Sequence, residues 1–323
     1  MFIPIFLFLI GLAMLVKGGD LFVDGAVGFA RRFSIPELII GATVVSIGTT
    51  LPEITVSATS ALGGHGDMAY GNAIGSIICN TALVAALSAT LRPTKIDREA
   101  LKLPAIFFFI AAVIYIGAAY ALGRFSLGIG LLLLSVAAFY MLLLFLRAKK
   151  DLHSGNKLPP KSEENNVKSW KLAVSLVIGA ALIAVGADLL VENGTVIARE
   201  LGISESVIAI TFIAIGTSLP ELVTAITAAI KGHSALSLGN VLGANLFNLS
   251  LASGVAALLS PFDLPVTSEF FGINSSLIID LPVMLFAMAL LTVPALMRGK
   301  IFRYQGVVLL MTYLGFCILK FTL

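Results

Sequence analysis

The sequence predicts an all-α integral membrane protein with ten transmembrane helices in two inverted five-helix repeats. The observations behind this prediction are the composition, the spacing of the apolar runs and an internal repeat. The chain has 323 residues, of which 58% are hydrophobic and 12% charged, and its mean hydropathy is +1.02. Soluble domains contain about 25% charged residues. The composition therefore argues against a soluble enzyme, a disordered chain and a nucleic-acid-binding protein.

Ten apolar runs are separated by charged or turn-forming residues, and each is long enough for the roughly 20 residues that cross a bilayer. Their approximate bounds are 2–30, 36–63, 68–90, 100–122, 126–147, 169–198, 204–230, 235–258, 275–297 and 302–321. The polar stretch at 149–168 contains Pro159 and Pro160 and is interpreted as a solvated linker. The chain thus divides into a first repeat at 1–148, the linker at 149–168 and a second repeat at 169–323.

The distribution of Lys and Arg predicts the orientation, because basic residues are enriched in cytoplasmic loops. Ten helices place both termini on one side. If that side is outside, 17 of the 21 basic residues fall in inner loops, and Arg124, Arg199 and Lys320 fall outside. We therefore predict a multi-pass protein of the cell's inner (plasma) membrane, with both termini outside and the linker in the cytoplasm.

An internal repeat relates the two units at a fixed offset of 168 residues. From Asp20 to Leu83, 24 of 64 ungapped positions are identical to residues 188–251, and the identities include Gly, Pro, Glu, Asn and His. Because an odd number of helices separates the copies, the second copy must cross the membrane in the opposite direction. Inverted repeats are typical of secondary transporters, whose substrate sites lie near the membrane midplane.

Each repeat carries the same irregular element, Gly48-Thr49-Thr50-Leu51-Pro52-Glu53 and Gly216-Thr217-Ser218-Leu219-Pro220-Glu221. Glycine tolerates unusual dihedral angles and proline removes an amide donor, so we expect a kink that frees backbone carbonyls. Freed carbonyls, hydroxyls and a carboxylate are hard oxygen ligands that suit Ca²⁺ or Na⁺. A kink alone often only shapes packing, but carboxylates inside the membrane are costly and usually functional. The repeated glutamate therefore predicts an ion site.

A second element ends 27 residues after each glutamate, at Asn80 and Asn248. Paired glycines at 71 and 75, and at 239 and 243, permit close approach of a neighbouring helix. Ser76 lies one helical turn from Asn80 and shares its face. Ordinary helix packing would also explain this element. Beside the glutamates, we favour carbonyl ligation by Asn80 and Asn248, with Ser76 next to them.

Other polar features are interpreted without a role in transport. His65 and His233 are expected to be turn residues, while Lys17, Asp20 and Asp24 are expected to form a local ion pair or to snorkel. Cys79 and Cys317 lie in apolar runs and indicate neither a disulfide framework nor a metal–cysteine site. The sequence has no Walker loop, which argues against ATP-driven transport. We expect no cofactor, no nucleic-acid partner and no obligate protein partner, only the lipid bilayer and the transported cations.

In these elements the chain resembles the calcium/cation antiporter superfamily, specifically its prokaryotic sodium/calcium exchanger-like branch. The resemblance covers nearly the whole length, and it implies alternating access around a central ion cluster. It implies that Glu53 and Glu221 are central ligands flanked by Asn80 and Asn248. The further oxygen ligands it implies are Thr49, Thr50, Thr217, Ser218 and Ser76, with Ser46 and Ala214 contributing only carbonyls.

Two positions depart from the family's pattern. Ala244 stands where the first repeat has Ser76, so one hydroxyl is missing and one sodium site is expected to be weaker. Asn248 stands where some exchangers of this type carry Asp. In addition, Asn245 stands opposite Ile77, which is expected to affect packing more than ligation.

The leading hypothesis is a secondary antiporter that couples Na⁺ influx to Ca²⁺ efflux and is not an enzyme. Two carboxylates balance one Ca²⁺, and the same ligands can instead hold several Na⁺ ions. A proton/calcium exchanger is the first alternative, because two close glutamates disfavour double ionisation and invite a proton. A cation channel would use similar ligands but needs a continuous pore.

Overall fold

A computed structural model describes residues 2–33, 35–154, 168–201, 216–266, 269–270 and 272–322. The α-helices are α1 (Phe2–Arg32), α2 (Glu37–Ile40), α3 (Ser46–Leu62), α4 (Gly66–Cys79), α5 (Ala86–Leu91), α6 (Arg98–Gly117), α7 (Leu127–Ser154), α8 (Ser169–Glu200), α9 (Leu219–Lys231), α10 (Ser234–Phe247), α11 (Ser253–Leu259), α12 (Leu281–Arg298) and α13 (Arg303–Thr322). The π-helical segments between them are π1 (Gly41–Val45), π2 (Asn80–Ala85), π3 (Ala118–Leu122), π4 (Asn248–Ala252) and π5 (Ser276–Asp280).

Short antiparallel strand pairs tie loops together at the ends of the helices. The strands are β1 (Thr94–Lys95), β2 (Arg124–Phe125), β3 (Phe262–Asp263), β4 (Glu269–Phe270), β5 (Ile273–Asn274) and β6 (Lys300–Ile301). β1 pairs with β6, β2 with β3 and β4 with β5. The first two of these pairs join a loop of the first half to a loop of the second half.

Eight helical stretches in the described part of the chain are long and apolar enough to cross a membrane, which confirms a helical membrane protein. They are Phe2–Arg32, Glu37–Leu62, Gly66–Leu91, Arg98–Leu122, Leu127–Arg147, Ser169–Glu200, Ser234–Leu259 and Ser276–Arg298. Each agrees with an apolar run of the sequence. The run at 204–230 lies partly outside the described residues, and its described part contains α9. The run at 302–321 forms α13, whose first residues, Arg303-Tyr304-Gln305, lower its hydropathy.

The centre of the bundle is formed by two interrupted helices, α4–π2–α5 and α10–π4–α11. Of the apolar window in each, 72% and 83% of residues are buried inside the protein, against 22–50% for the other spans. Helix α3 packs against both of them, and α9 packs against α10 and π2. This arrangement brings α3 and α9, which carry the two motif glutamates, to the most buried part of the bundle.

Helices α1 and α8 pack antiparallel along a line of glycines. A Cβ atom at Gly18 would lie 2.9 Å from the carbonyl oxygen of Gly179, and one at Gly186 would lie 2.8 Å from that of Gly11. The two backbones therefore touch at positions where only glycine fits. Helix α1 also packs against α9, so this helix pair adjoins the helix that carries Glu221.

Replacing Gly179 by alanine is predicted to destabilise the protein, because the new Cβ would lie 2.6 Å from the backbone nitrogen of Phe22. Gly117→Ala is the matched control, since no atom of the described residues beyond its own helical turn lies within 4 Å of its Cβ position and alanine is the better helix former. Thermal unfolding in detergent should show a lower Tm for Gly179→Ala and an equal or higher Tm for Gly117→Ala. Equal melting temperatures in both variants would contradict the close helix contact.

Candidate ion-binding site

Two glutamates, one from each half of the chain, meet inside the bundle. Glu53 lies within α3 and Glu221 in the first turn of α9, and both side chains are 0% exposed. Their carboxyl groups are close enough to interact electrostatically. Among the described residues, none forms a hydrogen bond with either carboxylate oxygen of Glu53 or with Oε2 of Glu221, and none forms a salt bridge with either group. Burying an ionised carboxylate without a counter-charge is strongly unfavourable, so this pair is suited to a bound cation.

Hydroxyl groups of α3 reach across to the second half of the chain. Thr50 Oγ1 donates a hydrogen bond to Glu221 Oε1 at 3.4 Å, and Thr49 Oγ1 donates one to Asn240 Oδ1 at 3.1 Å. Ser46 lies one turn earlier, and its hydroxyl donates to the carbonyl of Thr43 at 3.1 Å. The threonines thus lie at the contact between the two halves, while the hydroxyl of Ser46 is engaged within its own helix.

Asn80 and Asn248 begin π2 and π4, at positions that the 168-residue offset aligns. Both side chains are 0% exposed, and in the described part of the chain the amide oxygen and nitrogen of each have no hydrogen-bond partner. Segment π2 packs against α9, and π4 packs against α3. Each asparagine therefore begins a segment that contacts the glutamate-bearing helix of the other half. The hydroxyl of Ser76, one turn before Asn80, is also buried without a partner.

The second copy of the first motif is described from Gly216 onward. Ser218 is 1% exposed and its hydroxyl has no hydrogen-bond partner among the residues that the structure describes, whereas Thr217 is half-buried. Ala214, the remaining residue implied as a carbonyl ligand, lies outside the described residues.

The backbone of the motif differs between the two copies. Helix α3 continues through Pro52 without interruption, so the expected kink does not break the helix. Its effect is limited to the carbonyl of Gly48, because Pro52 has no amide hydrogen to donate to it. In the second copy, Thr217 and Ser218 form a turn, and α9 begins at Leu219 with Pro220 in its first turn. Proline is tolerated there because the amide hydrogen at that position is not needed.

Asn72 and Asn240 are the site residues that the sequence argument did not assign. Asn72 Nδ2 donates to the backbone carbonyl of Glu53 at 3.0 Å and to Ser57 Oγ at 2.9 Å. Asn240 accepts the hydrogen bond from Thr49. Both asparagines hold α3 in place beside the glutamates. The sequence does contain a signal for them, because Asn72 and Asn240 align with each other in the repeat and each directly follows a motif glycine.

The glycine pair of the second half permits the close helix approach that the sequence predicts. A Cβ at Gly239 would lie 2.1 Å from the carbonyl oxygen of Leu38, and one at Gly243 would lie 2.3 Å from Ser46 Oγ. No described atom lies within 4 Å of the Cβ positions of Gly71 and Gly75. The segment at 38–46, which packs on Gly239 and Gly243, aligns in the repeat with residues 206–214. Those residues lie outside the described part of the chain.

Asn245 takes part in packing through its amide nitrogen. Its Nδ2 donates to Thr81 Oγ1 at 2.7 Å and lies 3.1 Å from the sulfur of Met288. These contacts join α10 to π2 and α12, in keeping with a packing role for the amide that replaces Ile77 in the second repeat.

Lys231 and His233 each contact acidic side chains of the first half of the chain. Lys231 Nζ lies 3.0 Å from Asp20 Oδ1 and 2.8 Å from Asp24 Oδ1, so these aspartates pair with a lysine distant in sequence and not locally, while their side chains stay 41% and 65% exposed, as snorkelling requires. The partner is a lysine of α9, brought to α1 by helix packing. His233 lies in the turn before α10, as predicted, and its Nδ1 lies 2.9 Å from Glu37 Oε1.

Comparisons with known proteins place this chain in a family. The family model described as sodium/calcium exchanger protein matches residues 3–146 and 171–322. The putative antiporter CaxA of Alkalimonas amylolytica is 34% identical over 325 residues, and the sodium/calcium exchanger MaX1 of Methanosarcina acetivorans is 31% identical over 349; each match covers 97% of both chains. The solved structure of the sodium-calcium exchanger NCX_Mj, soaked with Na⁺ and Sr²⁺, matches with a TM-score of 0.80 at 33% identity and 97% coverage of both chains.

Ser76→Ala is predicted to weaken cation binding about tenfold, because it removes an unpartnered buried oxygen that can face a charged ligand. Ser57→Ala is the matched control: Ser57 is equally buried, but its hydroxyl already accepts a hydrogen bond from Asn72. Calorimetric titration of the purified variants with Na⁺ and Ca²⁺ would compare them. Equal losses of affinity in both variants would mean that Ser76 acts only through folding.

Proposed function

The chain belongs to the sodium/calcium exchanger family and is a Na⁺/Ca²⁺ antiporter, and we propose that the exchange runs by alternating access to the buried site around Glu53 and Glu221. The observation that carries this proposal is the meeting of two fully buried carboxylates from distant parts of the chain, with unpartnered oxygens around them. Exchange then uses the protein's own side chains and requires no resident cofactor.

The proposed ligands surround the glutamate pair. Asn80 and Asn248 flank it with their side-chain carbonyls, and hydroxyl or backbone oxygens of both motifs complete the set. These further oxygens come from Thr49, Thr50, Thr217, Ser218 and Ser76, with backbone carbonyls from Ser46 and Ala214. Carboxylate, carbonyl and hydroxyl oxygens are the ligands that hard cations prefer.

Competition for these ligands explains coupling. The glutamates supply a charge of −2, which one Ca²⁺ balances. The neutral oxygens allow the same cluster to hold Na⁺ ions instead, so the two loads exclude each other. Either load offsets the negative charge of the carboxylates, and a conformational change that exposes the loaded site to the other side of the membrane then costs less than one with bare carboxylates.

We further propose the finer architecture of ten helices in two inverted repeats, at 1–148 and 169–323, joined by the linker at 149–168. The bounds of the central helices support this. Helix α4 (Gly66–Cys79) and α10 (Ser234–Phe247) begin and end at aligned positions, and each is followed by a π-helical segment that begins at an asparagine. A repeated local distortion at the same register favours duplication over coincidence.

Glu53→Gln and Glu221→Gln are each predicted to abolish calcium transport without unfolding the protein, because each keeps the shape but removes half of the site's charge. Glu99→Gln, on an exposed side chain of α6, is the matched control. Calcium uptake into vesicles with an imposed Na⁺ gradient measures the effect, and an imposed pH gradient of the same size tests the proton alternative. Near-normal uptake in either glutamate variant would contradict the central role of the pair.

Exchange is predicted to be independent of K⁺ and to move net charge. A co-transported K⁺ would need negative charge beyond −2, and Asn80 and Asn248 supply none. More than two Na⁺ per Ca²⁺ is expected because Thr49, Thr50, Thr217 and Ser218 offer neutral oxygens. Moving one charge across 100 mV is worth about 2.3 kcal/mol, so the uptake rate should change with voltage.

The measurement is Na⁺-driven calcium uptake in vesicles, with and without K⁺, at two potentials clamped by an ionophore that does not carry K⁺. A K⁺ requirement would contradict the interpretation of the asparagines. A rate that is insensitive to voltage would show that the hydroxyl missing at Ala244 has removed the extra sodium ion.

Both termini are proposed to lie outside an inner (plasma) membrane. The antiparallel α1–α8 pair supports this, because it places the basic end of α1, with Arg31 and Arg32, beside Lys168 and Lys171 at the start of α8. In a variant without Cys79 and Cys317, a cysteine at position 162 should resist an impermeant thiol reagent in intact cells, and one at position 323 should react. The reverse labelling would contradict this orientation.

A further inference from the structure

The pairing of β1 with β6 gathers basic residues from both halves at one end of the bundle. Lys95 lies directly opposite Lys300 in this pair. Like charges in opposed cross-strand positions repel each other. No described carboxylate forms an ion pair with either lysine. This end of the bundle therefore holds two cations whose mutual repulsion an anion would relieve.

Further cations surround this strand pair. The guanidinium of Arg98 lies against Gly299, close enough that a Cβ there would be 2.9 Å from Arg98 Nε. Arg298 and Lys300 both lie within 6 Å of the Phe302 ring, at 5.6 and 5.3 Å from its centre. The neighbouring acidic groups are already engaged, since Asp97 caps α6 and Glu99 pairs with Lys102.

An apolar groove follows this basic cluster along α6, where its first lining residue, Ala105, lies seven residues after Arg98, about 10 Å along the helix. It lies between α6 and α12, has a volume of about 480 Å³ and is lined by Ile106, Phe109, Ile110, Val113 and Leu296. Ile106 is 52% exposed and Val113 is 71% exposed, so the groove opens to the side of the bundle that faces lipid. From Ala105 to Ile114 the groove extends ~14 Å along α6 at the 1.5 Å rise per helical residue, about half of the bilayer's hydrocarbon thickness.

We propose that this groove and cluster bind one anionic phospholipid. Its acyl chain lies along α6 and α12, and its phosphate lies between Lys95, Lys300 and Arg98. Basic pockets between transmembrane helices on the cytoplasmic side are suited to anionic head groups, and the proposed orientation places this end in the cytoplasmic leaflet. The lipid bridges a loop of each half, and the proposal is independent of the ion ligands.

Native mass spectrometry of the detergent-purified protein, titrated with palmitoyl-oleoyl phosphatidylglycerol or the matching phosphatidylcholine, tests the proposal. Phosphatidylglycerol should bind roughly tenfold more tightly than phosphatidylcholine, and Lys95→Gln/Lys300→Gln should remove the difference. The matched control, Lys168→Gln/Lys171→Gln, removes the same charge on the same side away from the groove and should retain the difference. Ile110→Trp, which fills the groove, should weaken binding without changing the charge.

Glycerol phosphate, which carries the head-group phosphate without acyl chains, should not compete at the same concentration. Equal binding of the two lipids, or equal losses in the two double-lysine variants, would overturn the proposal. Competition by glycerol phosphate at that concentration would also overturn it, because it would indicate a phosphate site without a role for the groove. If Lys95→Gln/Lys300→Gln does not fold, Arg98→Gln and Ile110→Trp test the head-group and groove contacts separately.

Discussion

The arrangement of this protein depends on the cost of holding two negative charges inside a membrane. Glu53 and Glu221 are fully buried, and no basic side chain in the described part of the chain pairs with them. Such charges are stable only with a cation and with oxygens that complete its shell. We propose that Asn80, Asn248 and Ser76, whose buried polar atoms have no partner among the described residues, supply those oxygens. In this proposal, polar atoms that would destabilise an ordinary core are the ones that hold the transported ions.

Because the two carboxylates come from different halves, ion binding is coupled to how the halves fit together. Thr50 donates to Glu221, and Thr49 donates to Asn240, so α3 contacts the second half at the site itself. A change of load from Ca²⁺ to Na⁺ alters the charge and size at this contact. In the proposed mechanism, this contact is both part of the binding site and the contact through which alternating access operates.

The membrane-spanning helices and the buried motif residues were predictable from the sequence, because a long run of apolar residues is enough to identify a membrane-spanning helix. Eight spans agree with apolar runs, and the glutamates and asparagines of both motifs are buried as their repetition indicates. The π-helical segments at Asn80 and Asn248 were not predictable, since a one-residue change of helical register leaves hydropathy unaltered. The Lys231 contacts with Asp20 and Asp24 were also missed, because they depend on which helices pack together. Asn72 was missed because one of its partners is the backbone carbonyl of Glu53, so only its alignment with Asn240 in the repeat could have indicated its role.

The central claim is that Ca²⁺ and Na⁺ occupy one shared cluster of charge −2. Equilibrium binding of radioactive calcium to the purified protein at rising Na⁺ concentrations tests it most directly. The account predicts that Na⁺ raises the apparent Kd for Ca²⁺ with a steep, greater than linear dependence, while the amount bound at saturation stays at one Ca²⁺ per chain. Calcium binding that Na⁺ leaves unchanged, or a saturation level that falls at constant Kd, would show that the two ions occupy separate sites and would contradict the account.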